Sequence, residues 1–320
     1  MKNINSLLKS TLIVFAALLV MVAGSGMVSA EGFKVGMAVQ DLSNQIWADA
    51  ASEIEELVEA DGGEFTAVDC SSNAAKQVTQ IENFIVSGVD ALIVHPAEKN
   101  AVEAPLKRAM DKGIKVYSWD EKLENSHLNW VIDNYELGKV IGKHAAEWIN
   151  EKHDGEAKVG VLNYPQIEIL LQRGEGIVDA INEHAPDAKI VAESSAINPV
   201  EGIAKTETFL QAHPDMKVIA AIGGGGAIGA NEAVKSAGKL TEDFGIFAAD
   251  ATDQELEAMA NNEANRMSVL ITGNAEKMAE VIYGYLQKMV AGEEVPKVVY
   301  RELIPVTRDN LDKHYNTESK

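Results

Sequence analysis

The sequence predicts an α/β protein made of two Rossmann-like lobes with parallel sheets. Three observations predict it. From Lys34 onward, short apolar strand patterns alternate with amphipathic helix patterns with few interruptions. The pattern yields about ten strands, too many for one small open sheet. The chain, at 320 residues, is long enough for two such units. A barrel of eight βα units is the structural alternative, but the end of the chain does not supply eight regular repeats.

The first unit opens with Lys34–Gln40 (KVGMAVQ), a short buried-strand run. Trp47, Ala50, Ala51, Ile54, Leu57 and Val58 then recur at the spacing of one helix face, and Asp61-Gly62-Gly63 stops that helix. Glu64–Cys70 reads as the next strand and Asn73–Ser87 as the next helix. Ala91–His95 and Lys115–Asp120 are further strands, with a helix over Ala101–Lys112 between them. The pattern restarts after Leu128–Asn134, where the chain crosses between lobes. Strands follow at Lys158–Tyr164, Lys189–Ala196, Val218–Ile222, Phe244–Asp250 and Met267–Thr272, with helices between them. A last helix, Ala275–Ala291, precedes one terminal strand near Val298–Ile304.

Residues 1–30 have the layout of a secretory signal. Lys2 and Lys9 precede an unbroken apolar run from Leu12 to Ala23, and Val28-Ser29-Ala30 is a small-x-small end. The run falls short of the ~18–20 apolar residues that span a bilayer. Cleavage after Ala30, with no cysteine following to carry a lipid, places the mature chain outside the cytoplasm, in the periplasm.

The formal charge is −21, and removing the two leader lysines takes it to −23. So acidic a chain repels nucleic acid and anionic membrane. Cys70 is the only cysteine, which excludes an internal disulfide and a thiolate metal cluster. The seven histidines are scattered, without a pair suited to a metal, and read as surface residues. No metal and no cofactor are expected. No G-x-S-x-G elbow occurs in the mature chain, and Cys70 has no evident histidine partner.

In open α/β sheets, ligands bind beyond the carboxyl ends of the strands. Those positions carry Gln40, Asp41, Ser43, Asn44 and Trp47, then Trp119, Asp120 and Glu121. Asp133 and Asn134 lie near the crossover. Asn163, Tyr164, Asn198, Gly223–Gly226, Asp250 and Thr272 follow at later strand ends. Carboxylates and amides suit the hydrogen bonds of vicinal hydroxyls, and flat rings cover the C–H faces of a sugar or polyol. The same residue types also cap helices and form turns. Asp120 and Asp250 each end a very apolar strand and lean toward function. They would also serve as a glycosidase pair, although polyol binding needs the same residues without catalysis. One motif competes: Gly224-Gly225-Gly226-Ala227-Ile228-Gly229 matches G-x-G-x-x-G, follows a strand and opens a helix. It lies in the second half of an exported chain, with no catalytic base nearby. A lesser role is bare backbone N–H groups approaching a ligand.

Taken together, MAVQDLSNQIW, DALIVHPAEKNAVEAPLKRAMDKGIKVYSWDE, VIDNYELGK, QRGEGIVDAI, FLQAHPDMKVIAAI and GIFAADATDQELEAM resemble the type I periplasmic sugar-binding proteins of ABC transporters, the ribose- and galactose-binding group. The resemblance runs from about Lys34 to Asn310. It implies two lobes joined by three hinge strands that close around one ligand. On that plan one lobe comprises residues 31–133 plus 273–300, and the other 134–272 plus 301–320. It also implies roles for residues. Asn44 and Trp47 stand where ribose binders place an asparagine and a stacking phenylalanine, and Gln40 stands at a serine contact. Asp120 and Asp250 match the two sugar-binding aspartates. Glu121 stands at one arginine and Leu171 at another, with Arg173 retained nearby. Gly223 replaces a ligand asparagine, Ala249 an aromatic and Thr272 a glutamine. These departures point away from ribose itself, and Trp119-Asp120 is more similar to the subgroup taking rhamnose or the autoinducer sugar. Two lost arginines and a gained Glu121 point to a neutral or cationic ligand, while the glycine run points the other way.

The expected function is reversible capture of a small polar solute, a monosaccharide or polyol, by a monomer that delivers it to an ABC permease, with no bond made or broken. The rivals are a sensory protein docking on a chemoreceptor, an exported nucleotide-dependent dehydrogenase resting on the glycine motif, and a repressor, which would need a helix-turn-helix where this chain has its leader.

Overall fold

The computed structural model describes residues 32–315, so the leader and its cleavage after Ala30 lie outside the described residues. It bears out the two-lobed α/β reading.

The first sheet contains β1 (Lys34–Val39), β2 (Glu64–Asp69), β3 (Ala91–Val94), β4 (Lys115–Trp119), β5 (Leu128–Val131) and β11 (Val298–Tyr300), in the order β11-β5-β4-β3-β1-β2. All its pairings are parallel. The second contains β6 (Lys158–Asn163), β7 (Lys189–Ser195), β8 (Val218–Ala221), β9 (Gly245–Ala249), β10 (Asn265–Ile271) and β12 (Leu303–Thr307), in the order β12-β10-β9-β8-β6-β7. Only β12 runs antiparallel, against β10.

Parallel strands need helical crossovers, and the central strands are accordingly apolar on both faces. β3 (ALIV), β8 (VIAA) and β9 (GIFAA) are buried throughout. The helices α1 (Gln45–Ala60), α2 (Ala74–Ser87), α3 (Lys99–Asp111) and α9 (Ala275–Val290) cover the first sheet. The helices α4 (Asn134–His153), α5 (Glu168–His184), α6 (Pro199–Ala212), α7 (Gly224–Ser236) and α8 (Asp253–Ala260) serve the second. Asn44, Asn73, Asp133, Asn198, Thr252 and Asn274 cap α1, α2, α4, α6, α8 and α9 by accepting a backbone N–H.

Each sheet has a core on either face. Ile54 and Val58 of α1 meet Ile282 and Leu286 of α9 over β1, β3 and β4, while Ile81, Phe84 and Leu106 fill the opposite face. In the second lobe Leu137, Ile141 and Ile177 occupy one face, and Phe209, Val234 and Phe244 the other. Each fully buried side chain of this kind contributes about 1.5–3 kcal/mol.

The single terminal strand expected over Val298–Ile304 is two strands in different sheets. β11 pairs with β5 and β12 pairs with β10, separated by Arg301-Glu302. The chain therefore passes between the sheets three times: after β5, after β10, and at Arg301-Glu302. No helix among the described residues is long and apolar enough to cross a membrane.

Candidate functional site

The candidate residues gather at the carboxyl ends of strands in two clusters, joined where the chain crosses. Three of them share an unusual backbone. Asp120, Asp250 and Thr272, each just beyond a strand, have φ of 62°, 88° and 73°. Side chains rarely adopt this left-handed region, and functional sites are where such conformations concentrate. Each is pinned by its backbone N–H: Asp120 donates to the Trp130 carbonyl at 2.8 Å, Asp250 to Val269 at 2.9 Å and Thr272 to Glu302 at 2.8 Å. The neighbouring strand, or the residue leading into it, thus holds each one.

In the first cluster, Trp47 in the first turn of α1 lies against the His95 ring, with centroids 4.2 Å apart and planes at 48°. His95 follows β3 and is 7% exposed, so the surface position expected for every histidine fails here. Its ring packs edge-on to Trp119 at 5.9 Å, and its Nε2 lies 3.9 Å from an Asp120 carboxylate oxygen. Burial holds the imidazole below its ordinary range, with Asp120 opposing and Arg301 adding to that effect. Asp120 accepts from Arg301 Nη1 at 2.9 and 3.3 Å.

Arg301, on the third crossing, is the centre of this arrangement. Its guanidinium lies over the Trp130 ring at 4.6 Å. Its Nε donates to Thr272 Oγ1 at 3.0 Å and its Nη2 to the Ile271 carbonyl at 3.3 Å. One side chain thus ties the end of β4 to the end of β10 from the link between β11 and β12. Thr272, expected to contact a ligand, is 2% exposed, and its hydroxyl accepts from Arg301. Direct contact there requires Arg301 to move.

Gln40 is half-buried, and its carbonyl accepts from the Ser72 N–H at 2.8 Å. Asn44 is exposed and its side-chain oxygen accepts from Ile46 N at 3.2 Å, so that atom serves the helix. Glu121 is half-buried beside Asp120, its carbonyl taking the Ser118 hydroxyl at 2.6 Å.

The second cluster is built around Arg173, retained on α5. It is buried, donating to Asn134 Oδ1 through Nε at 3.2 Å and Nη2 at 2.7 Å, and to the Ile222 carbonyl through Nη1 at 2.6 Å. Burial pulls its pKa down and the nearby Asp250 carboxylate opposes this. Asp250 is exposed and accepts from Gly224 N at 2.9 Å. A Cβ at Gly223 would come 2.8 Å from the same carboxylate oxygen, so a side chain there would displace the Asp250 carboxylate from this position. Tyr164 is half-buried, packed on the apolar core behind β6. Leu171 is exposed on α5.

The glycine motif finds its use here. Gly225 and Gly229 let α7 touch the start of α6, where a Cβ would meet the Ile197 and Pro199 carbonyls at 2.2 Å. The first N–H of α7 already faces the Asp250 carboxylate, and the Glu255 carboxyl lies beside Gly224. A phosphate at this helix start would meet acidic oxygens instead of free donors.

With this geometry in place, comparison with known proteins is decisive for the family. A model described as the periplasmic binding protein domain matches residues 35–294. The chain belongs to that family. Among curated members, it is similar to the ribose import binding protein RbsB of Bacillus subtilis, 26% identical over 271 residues covering 83% of this chain and 85% of that one. Among solved structures, it is similar to a periplasmic ribose ABC transporter protein from Conexibacter woesei, with a TM-score of 0.78 at 20% identity, covering 90% and 96% of the two chains. It is also similar to an ABC transporter solute binding protein from Bacillus halodurans with bound myo-inositol, with a TM-score of 0.68 at 22% identity, covering 89% and 97%.

Within this periplasmic binding protein, sequence reasoning passed over Arg301 and His95. His95 ends a strand as apolar as those before Asp120 and Asp250, so the rule that singled out the aspartates also reaches it. Arg301 lacks such a signal. An arginine inside a strand pattern resembles a solvated edge, and only the split into two sheets turns it inward.

Proposed function

We propose that the protein captures a small neutral polyhydroxy solute, a monosaccharide or polyol, between its lobes and hands it to an ABC importer. The observation that supports this most is the balance of charge. Asp120 stands against Arg301, and Asp250 stands near Arg173. The carboxylates remain as acceptors for hydroxyls, yet neither calls for a charged group on the solute. Trp47 supplies the flat face. The relatives named for ribose and myo-inositol bind ligands of this chemistry.

Asp120 belongs to one lobe and Asp250 to the other. A solute touching both is held fully only when the lobes close, so its differential affinity shifts the population toward the closed form. The chain works in the periplasm as a monomer after losing residues 1–30, and no bond is made or broken. Glu121, next in sequence to Asp120 and standing where ribose binders carry an arginine, favours an amino-substituted polyol as a second reading.

The test is thermal unfolding of the protein with D-ribose, D-allose, L-arabinose, myo-inositol, glycerol, D-glucosamine and NAD. A ligand at a thousand times its dissociation constant stabilises by about 4 kcal/mol, a shift of several degrees. One neutral sugar or polyol should give that shift, and Asp250→Ala should abolish it while the unliganded variant still unfolds cooperatively, at a lower temperature. A shift with NAD alone, or full affinity in Asp250→Ala, sinks the reading.

A further inference from the structure

His95 combines three features. Its side chain is more than nine-tenths buried, its Nδ1 has no hydrogen-bond partner among the described residues, and its Nε2 stops 3.9 Å short of Asp120. Resting on the function just proposed, we infer that His95 and Asp120 together hold a single hydroxyl of the bound solute, and that the pair selects a hydroxyl over an ammonium or a carboxylate at that position.

The backbone of His95 is fixed on both sides. Its N–H donates to the Ala38 carbonyl at 3.1 Å, and its own carbonyl accepts from Gln77 Nε2 at 2.9 Å. Trp47 and Trp119 confine the ring. The tautomer follows from what is buried. An orphaned N–H costs more than an orphaned acceptor, so the proton sits on Nε2 and Nδ1 carries the bare lone pair. The Nε2–H then faces Asp120 across a gap too long for a hydrogen bond. An oxygen about 2.8 Å from both atoms sees them at about 90°, an angle a hydroxyl accommodates while accepting from one and donating to the other. An ammonium cannot accept from Nε2–H. A carboxylate cannot donate to Asp120. A hydroxyl does both.

The charged groups facing the ring are Asp120 at the end of β4 and Arg301 from the third crossing. Trp47, Trp119, Ala38 and Gln77 bring none. Protonating the imidazole adds a cation beside Asp120, which then takes up the carboxylate directly. Affinity for the solute therefore falls as pH drops through the imidazole's titration, below the ordinary histidine range.

The experiment is calorimetric titration of wild type, His95→Phe and His95→Gln with each sugar and polyol named above, from pH 5 to pH 8. His95→Phe keeps a ring between the two tryptophans and removes the donor. Its affinity for the compound that wild type binds should fall about tenfold at pH 7, one neutral hydrogen bond's share, with the unliganded melting temperature little changed. His95→Gln, which keeps an N–H, should stay within about threefold. Wild-type affinity should weaken toward the acid end of that pH range and that of His95→Phe should not. Equal binding by His95→Phe at pH 7 overturns the inference and leaves solute capture standing. If that variant does not fold, equal binding by His95→Leu at pH 7, which also lacks the donor, overturns it instead. Failure of every compound to bind wild type overturns the functional reading and this inference together.

Discussion

Replacing Glu255 with glutamine should stabilise the protein at neutral and alkaline pH and do little in acid. Glu255 is fully buried at the start of α8. One carboxyl oxygen accepts from Thr252 N and Oγ1 at 2.9 Å, and the other lies 2.9 Å from Ser268 Oγ. Burial pushes its pKa from the ordinary 4.5 up to about 8, with Asp250 adding to the rise and the Thr252 and Ser268 hydrogen bonds working against it. A carboxyl with a raised folded-state pKa contributes stability that is full below 4.5 and is lost as pH rises through about 8. At about 1.4 kcal/mol per pKa unit, the whole loss is about 5 kcal/mol, most of which falls between pH 5 and pH 8. Glutamine keeps an oxygen for Thr252 and offers an N–H to Ser268 without titrating. Urea unfolding of both proteins at pH 5 and pH 8 measures the difference directly. The gap between variant and wild type should widen by about 3 kcal/mol over that interval. Parallel pH dependence in the two proteins would refute the buried, raised-pKa account of Glu255.

Three further outcomes follow from the geometry. Gly225→Ala places a methyl 2.2 Å from the Ile197 carbonyl, so it should cost about 1–3 kcal/mol despite alanine's better helix propensity, seen as a lower urea midpoint. Arg301→Lys keeps a charge but loses the fork that joins Asp120, Thr272 and Ile271. It should weaken solute binding at least tenfold in calorimetry, and unchanged affinity would show that charge alone, without the fork, suffices to hold Asp120 for the solute. In a protein whose only tryptophan is Trp47, emission should change on saturation with the bound sugar or polyol, and a spectrum indifferent to it would remove Trp47 from the stacking role.

Most of the fold was legible because parallel strands buried on both faces announce themselves as short apolar runs, as in β3, β8 and β9. Partner choice was not. Val298–Ile304 looks like one strand because local pattern records burial and says nothing of which sheet an edge strand joins. The candidate site was legible where a polar residue ends an apolar strand, as at Asp120 and Asp250. It was obscured where a residue's neighbours come from far along the chain. Thr272 ends a strand in the same way, yet Arg301 covers it. Asn44 reads equally as a cap or a contact, and its side-chain oxygen is used as a cap. Of the arginines read as lost from two family positions, one has a neighbour in Arg173, two residues along α5 from Leu171 and near Asp250, and the other in Arg301, which reaches Asp120 from the far end of the chain.

The path of the chain between sheets also bears on when each lobe can form during synthesis. The first lobe's core needs α9, and its sheet is completed by β11, although its other strands end at Val131. The second sheet likewise waits for β12. Neither lobe is a contiguous stretch that can finish folding behind the ribosome while the rest is made. In the first lobe the face over β1, β3 and β4 stays uncovered until α9 has emerged, whereas the opposite core and both cores of the second lobe are built from residues already made, so the edge strands β11 and β12 close sheets whose interiors can already be packed.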